Sequence, residues 1–162
     1  MHRTFDPIDE YLGIDLLALR THTEEAGDRL DETEHRARLA RSFAISEICE
    51  VRRDGAVLAY AMLRPKTDDT WFVTAFNVHP NNRTPGVFVA LAAEFMAKLQ
   101  RHRVLKIQSN VYRTNLRSME FHRRLGFVIT RENEKGVEFT TSVATILSNP
   151  VAARVTEQSK HT

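Results

Sequence analysis

Two hydrophobic periods alternate along the chain, and the switches between them mark its elements. Asp6-Pro7 is an N-cap followed by proline at the first helical position. After it Ile8, Tyr11, Leu12, Leu16 and Leu19 recur every three or four residues, which predicts an amphipathic helix with Gly13 as its one weak point. Asp31, with Glu34 three residues on, has the spacing of a capping box and predicts a second helix to about Arg41. The period then falls to two. Strands are predicted at 43–52, 56–63, 70–79, 104–111, 127–131 and 137–146, with Asp54-Gly55 as a type I′ turn and 131–136 as a hairpin between the last two. In the third of these, Trp71, Val73 and Ala75 alternate with Phe72, Thr74, Phe76 and Val78. Both sets are largely apolar, so the strand is expected to be buried on both faces. Thr84-Pro85 opens a further helix that runs through Leu99, and Thr114 or Asn115 opens a short one that stops at Gly126.

The length of 162 residues suits one domain, expected over 1–147, and the stretch 148–162, poor in apolar residues, reads as a tail. The chain opens with no charged-then-apolar leader and has no apolar run of bilayer length, so a cytoplasmic protein without a membrane partner is expected. The single cysteine, Cys49, excludes an internal disulfide and falls in a strand pattern, where a buried, inert thiol is expected. Net charge is +2 but uneven. Residues 1–40 hold five Arg against ten Asp and Glu, and the cationic excess lies entirely in the remainder. No pair of His or Cys has metal-ligand spacing, and no Gly-x-Ser-x-Gly elbow occurs, so neither a metal site nor serine hydrolysis is indicated. Arg101, Arg103, Arg113, Arg117, Arg123 and Arg124 form a basic concentration without interleaved aromatics, which does not indicate a nucleic-acid partner.

One stretch carries candidate chemistry. A strand that hands its loop directly to a helix start presents free backbone N–H groups and the positive end of a dipole, an arrangement that seats anions. Here the amides of Gly86, Val87 and Phe88 would be the donors, with Arg83 as a charged clamp. An ordinary capped helix start fits the same residues.

The strand, the Arg-x-x-Gly-x loop and the helix are followed by a second strand and by N115-L-R-S-M-E-F-H-R-R-L-G-F127. Together with the hairpin V51-R-R-D-G-A-V-L-A-Y60, these resemble the GCN5-related N-acetyltransferase (GNAT) superfamily over about residues 42–147. The resemblance implies an α+β domain with a central mixed, mostly antiparallel sheet of six or seven strands flanked by helices. Parallel strands near 70–79 and 104–111 would splay apart. It also implies transfer of an acetyl group from acetyl-CoA to a primary amine on a small molecule or peptide, with no metal, in a protein that forms homodimers in many relatives. The pyrophosphate would sit on Arg83, Thr84, Pro85, Gly86, Val87 and Phe88. The pantetheine would lie beside Phe76, Asn77, Val78 and Asn110, with Asn115, Ser118 and His122 closing the site. The Phe76 amide would polarise the thioester carbonyl, and His122 would protonate the leaving thiolate. A helix histidine bonded to a backbone carbonyl is the alternative for His122, and an N-cap is the alternative for Asn115.

Three departures from the family pattern stand out, the first being His122 in the place of the tyrosine that commonly protonates the leaving thiolate. Phe72 occupies the place of a common strand glutamate, so the general base is sought in Glu50, with Glu47, Glu138 or a water held by backbone carbonyls as alternatives. Phe88 replaces a small residue where the helix backbone approaches phosphate, which leaves a second reading, a GNAT-fold binding or regulatory module with a degenerate coenzyme site. The acids Glu24, Glu25, Asp28, Asp31, Glu32 and Glu34, on the segment that faces the acceptor in the family, suggest a cationic acceptor.

Overall fold

A computed structural model describes residues 6–150. It contains helices α1 (Pro7–Glu25), α2 (Glu32–Ile45), α3 (Pro85–Arg101), α4 (Leu116–Arg124) and α5 (Val143–Ser148). The strands are β1 (Glu47–Arg53), β2 (Ala56–Pro65), β3 (Thr70–Val78), β4 (Lys106–Tyr112), β5 (Val128–Glu132) and β6 (Gly136–Ser142). The strands form one open sheet in the order β1-β2-β3-β4-β6-β5. Every neighbouring pair is antiparallel except β3 and β4, so the expected mixed, mostly antiparallel sheet is present with six strands. The part of the expected tail beyond residue 150 lies outside the described residues.

The predicted caps act as predicted. Asp6 accepts from the Ile8 amide at 3.0 Å and Asp31 from the Glu34 amide at 2.9 Å, while the Thr84 hydroxyl accepts from the Val87 amide. Asp54 and Gly55 both have positive φ, 52° and 81°, as a type I′ hairpin requires. At the end of α4 the Gly126 amide donates to the Arg123 carbonyl and the Phe127 amide to the His122 carbonyl, the paired bonds of a Schellman motif. Gly126 sits at φ +89°, and a Cβ there would meet the Thr145 methyl at 2.7 Å.

Two strand boundaries need correction. Residues 43–45 belong to α2, because the Phe43 ring packs against Tyr11 of α1 and chain extension begins only at Ser46. A short apolar run carries too little periodicity to separate these outcomes. Residues 143–146 are helical because Ser142 acts as an N-cap, its hydroxyl accepting from the Thr145 amide at 3.0 Å. That turn buries Val143 and Ile146 on one side.

The two faces of the sheet carry separate cores. On one face Leu63, Trp71 and Val73 pack beneath α3, α4 and α5 with Leu91, Phe95, Leu99, Met119 and Ile146. On the other Tyr60, Met62 and Ala75 meet Ile8, Tyr11 and Ile14 of α1 and Leu39 of α2. β3 contributes to both in an order that simple alternation does not give. A bulge at Thr74, where Met62 faces Ala75 but Leu63 faces Val73, reverses the faces, so Ala75 turns to α1 while Phe76 and Val78 turn to the α3 side. The expectation of a strand buried on both faces is corrected accordingly. Trp71 and Val73 are buried on one face and Ala75 on the other, while Phe72, Thr74 and the residues from Phe76 on are half-buried.

Candidate active site

β3 and β4 pair only from Thr70–Lys106 to Val73–Ser109. Beyond that point β4 keeps its full ladder to β6, while β3 follows β2 away from it at the Thr74 bulge. The diverging ends leave backbone groups without a strand partner. They open a cavity of about 260 Å³ that passes through the sheet, lined on one side by Leu19, His22 and Thr23 of α1 and on the other by side chains of α3 and α4.

The α3–α4 side is aromatic. Phe76 stands 6.1 Å from Phe88, 5.6 Å from Phe95 and 6.1 Å from Phe121, and Phe88 meets Phe121 edge-on at 5.4 Å. The Phe88 ring therefore turns into the cavity rather than over the outer start of α3. Its amide, however, donates to the Thr84 carbonyl at 3.1 Å, and the Val87 amide is directed to the Thr84 hydroxyl. Of the three amides expected to seat an anion, only that of Gly86 is without an intrachain acceptor among the described residues. Burial, and then the charge of Arg117, hold the Arg83 guanidinium below its usual range.

Of the sequence-predicted residues, Phe76, Asn77, Phe88, Asn110, Asn115, Ser118 and His122 line the cavity. Val78 continues the diverging strand, and Arg83, Thr84, Pro85, Gly86 and Val87 form the start of α3 at its edge. Asn115 caps α4, its side-chain oxygen accepting from the Ser118 amide at 3.2 Å, and also faces the cavity. His122 lines the cavity and makes the helix-histidine bond to a backbone carbonyl. Its Nδ1–H donates to the Ser118 carbonyl at 2.7 Å, and the ring stacks on Phe139 at 4.9 Å. Burial pushes its pKa below the usual histidine value, so the ring is neutral near pH 7 with Nε2 as an acceptor.

Glu50 does not join this group. It lies on β1 beneath α1, accepting from the Tyr11 hydroxyl at 2.6 Å and from Arg52 at 2.6 Å. Burial acts to raise its pKa, but those bonds bring it below the usual range. Glu47 pairs with Lys98 and His102, and Glu138 accepts from Thr130 of β5 and lines a neighbouring groove rather than the cavity. Among the described residues no carboxylate lines the cavity. The acidic segment is also partly committed. Asp28 binds Lys135 and the Tyr112 hydroxyl, Lys135 chiefly keeping its pKa low, while Asp31 caps α2 and Glu32 pairs with Arg20.

Two features were missed in the sequence. Asp15, only 2% exposed, accepts from Tyr60 at 2.5 Å, from Asn77 at 2.9 Å and from His35 at 2.7 Å, tying α1 and α2 to the diverging end of β3. His22 also faces inward. Both lie on the apolar stripe of α1 seven residues apart, and a polar residue on a buried stripe is the signal that marks them.

A sheet opened at its one parallel pair, beside a cation-flanked helix start, defines the class as the acyl-CoA N-acyltransferase fold. Residues 13–127 match the model of the acetyltransferase (GNAT) family, and the chain belongs to that family. No curated protein matches it in sequence. Among solved structures it is similar to the PaiA N-acetyltransferase of Thermoplasma acidophilum in complex with coenzyme A, at 11% identity and a TM-score of 0.66 over 84% of this chain and 92% of that one. It is similar to a GNAT family acetyltransferase of Elizabethkingia anophelis with acetyl-CoA bound, at 14% identity and a TM-score of 0.62 over 88% and 94%. The ribosomal-protein-S18-alanine N-acetyltransferase of Escherichia coli is similar at 13% identity and a TM-score of 0.62 over 88% and 90%. At such identities the likeness concerns the fold alone. Among the described residues no helix is long and apolar enough to cross a membrane, and no group of three or more His, Cys, Asp or Glu could hold a metal ion.

Proposed function

We propose that the protein transfers an acetyl group from acetyl-CoA to a primary amine by direct attack. The observation that carries this reading is the parting of β3 and β4 beyond Val73 and Ser109, which opens the cavity between them. Arg83, Arg117 and the Gly86 amide would hold the pyrophosphate. The unpartnered backbone at Phe76, Asn77 and Val78 would bond to the pantetheine as an added strand does, and Asn110, Asn115 and Ser118 border the same space. Acetyl-CoA, when bound, supplies an acyl group activated as a thioester, and the Phe76 amide is the assigned donor to its carbonyl oxygen. His122, neutral near pH 7, has its one ring proton on the Ser118 carbonyl and none on Nε2 to give. A thiol pKa of about 8.5 lets the thiolate leave without that help.

The acceptor is a small molecule or peptide amine. A polar groove of about 660 Å³ shares Asn110, Val111 and Tyr112 with the cavity and offers an entry for it. Because Asp28 is already bound to Lys135, the groove provides little excess negative charge, and selection of a polycation has no support from it.

The second reading, a binding or regulatory module, draws on the Phe88 ring inside the cavity. A thermal melt separates the two. Acetyl-CoA at a hundred times its Kd stabilises by about 2.7 kcal/mol, so a clear upward shift in Tm is expected. No shift in the wild type, with one appearing in Phe88→Gly, would favour the module.

A further inference from the structure

The polar groove beside the cavity lies on the α1–α2 face of the sheet. Val111, Val137 and Phe139 point into the α3-side core, so alternation turns Asn110, Tyr112 and Glu138 the other way. The Tyr112 hydroxyl accordingly donates to Asp28, in the loop between α1 and α2. Register carries a row of polar side chains outward from the gap. Asn110 of β4 faces Glu138 of β6, and Glu138 faces Arg131 of β5. Arg131 reaches that face through a bulge. Ile129 stands opposite Phe139 but Arg131 stands opposite Glu138, so Thr130 and Arg131 share a side that plain alternation would give to Thr130 alone. Arg38 of α2 lines the groove from the helix side.

Charge in this groove is unevenly matched. Lys135 is bound to Asp28, and Glu132 to Arg113. Among the described residues no carboxylate pairs with Arg38 or Arg131. Against these two guanidinium groups stands only Glu138, whose Oε1 accepts from the Thr130 hydroxyl at 2.9 Å. The unmatched charge is positive, and it is carried by planar forks of donors that suit a carboxylate or phosphoryl group. We propose that the groove binds the acceptor through Arg38 and Arg131, and that the acceptor is an amine that also carries such an acidic group. The inference rests on the acyl-transfer reading above. It is the opposite of the cationic acceptor that the acidic segment suggests, because Asp28 of that segment is committed to Lys135 within the groove. Asn110 borders both groove and cavity and marks the path of the amine to the gap between β3 and β4. β5 lies two strands from β4, about 10 Å, so the acidic group sits several bonds away from the nitrogen. α3, whose start would hold the coenzyme phosphates, packs on the opposite face, so the two anions occupy separate places. The free amine bonds to the acyl carbon, the C–S bond breaks with its electron pair on sulfur, and the surplus proton on nitrogen passes to solvent.

Titration of the ¹⁵N-labelled full chain with 4-aminobutyrate, 3-aminopropylphosphonate and n-pentylamine reads the groove without turnover. The side-chain Nε–H resonances of Arg38 and Arg131 are expected to shift with the acidic amines and not with n-pentylamine, while that of Arg124, outside the groove, stays in place. A response to only one of the two acids identifies the group that is recognised. No shift with either acid, equal shifts with all three amines, or an equal shift at Arg124 overturns the proposal. Kinetics with acetyl-CoA and the same amines then test specificity. Arg38→Gln and Arg131→Gln, both at exposed positions, are each expected to lower the preference for the acidic amine over n-pentylamine by about tenfold or more. The loss should fall mainly on KM, with the Kd for acetyl-CoA unchanged. A preference as strong in both variants as in the wild type refutes the assignment. Wild-type protein that shows no Tm shift with acetyl-CoA sinks the acyl-transfer reading itself, whereas a Tm shift without the arginine response sinks only the groove assignment.

Discussion

Asp15 offers the most quantitative test of how the site is held. Its carboxylate is 2% exposed and receives three hydrogen bonds, of which the one from Tyr60 joins two residues that water does not reach. Asn77 and His35 are partly accessible and can turn to water when the carboxylate is removed, whereas the Tyr60 hydroxyl cannot. Asp15→Ala therefore leaves a buried donor unpaired, removes two further charge-assisted bonds and opens a small cavity, for a cost of about 3–5 kcal/mol. Tyr60→Phe removes one donor and leaves the carboxylate with two, a cost of about 1.5–3 kcal/mol. Because both changes break the same bond, the double variant should cost less than the two single costs added together, by about 1–3 kcal/mol. Urea unfolding with unchanged m reads all three values. A loss below about 1 kcal/mol for Asp15→Ala, or strict additivity in the cycle, would show that the network does not hold α1 to β3. Since Asn77 hangs from the same carboxylate on the strand that diverges, Asp15→Asn is also expected to weaken acetyl-CoA binding before it unfolds the protein.

Further outcomes follow from the same geometry. Arg117→Ala and Arg83→Ala should each weaken acetyl-CoA binding by roughly tenfold in calorimetry, as loss of a charge-assisted contact does, while changes at the solvated Arg124 should not. His122 has a folded pKa depressed by burial, so the unfolded chain takes up its proton first and stability falls as pH drops below the unfolded value of about 6.5. His122→Phe should flatten that part of a Tm-versus-pH curve, and an unchanged slope would mean the ring is solvated. Gly126→Ala combines φ +89° with a Cβ at 2.7 Å from the Thr145 methyl and should cost about 1–3 kcal/mol in chemical denaturation. Thr145→Ser should recover the steric part only. Cys49, buried and with its thiol pKa pushed up to about 12, should react with a disulfide reagent only after unfolding.

Local chemistry was the legible part of this chain. Asp6-Pro7, Asp31 with Glu34, Asp54-Gly55, Thr84-Pro85 and the Leu125-Gly126-Phe127 stop each act through partners within a few residues, so the residue pattern alone placed them. The likeness to the GNAT family rested on the last three of these with the strands beside them, and the family match agrees with it. Short apolar runs were not legible. Residues 43–45 became helix because of a contact with Tyr11, and residues 143–146 because a serine hydroxyl caps them.

The site divided along the same line. Asn115, whose cap bond to the Ser118 amide lies within its own helix turn, could be placed from the chain. Glu50 was misplaced because which face of β1 it occupies, and its capture by Tyr11 and Arg52, depend on packing between distant segments. His22 and Asp15 acquire meaning only when the end of α1 is laid against the gap between β3 and β4. A hydrogen bond that spans 62 residues, like that from Asn77 to Asp15, leaves no trace in the spacing of either neighbourhood. The amino-acid order thus determined where elements begin, turn and stop, because those choices are settled by neighbours along the chain. The parting of two strands and the aim of the side chains into it were decided by the tertiary structure, which alone sets one face of a sheet against another.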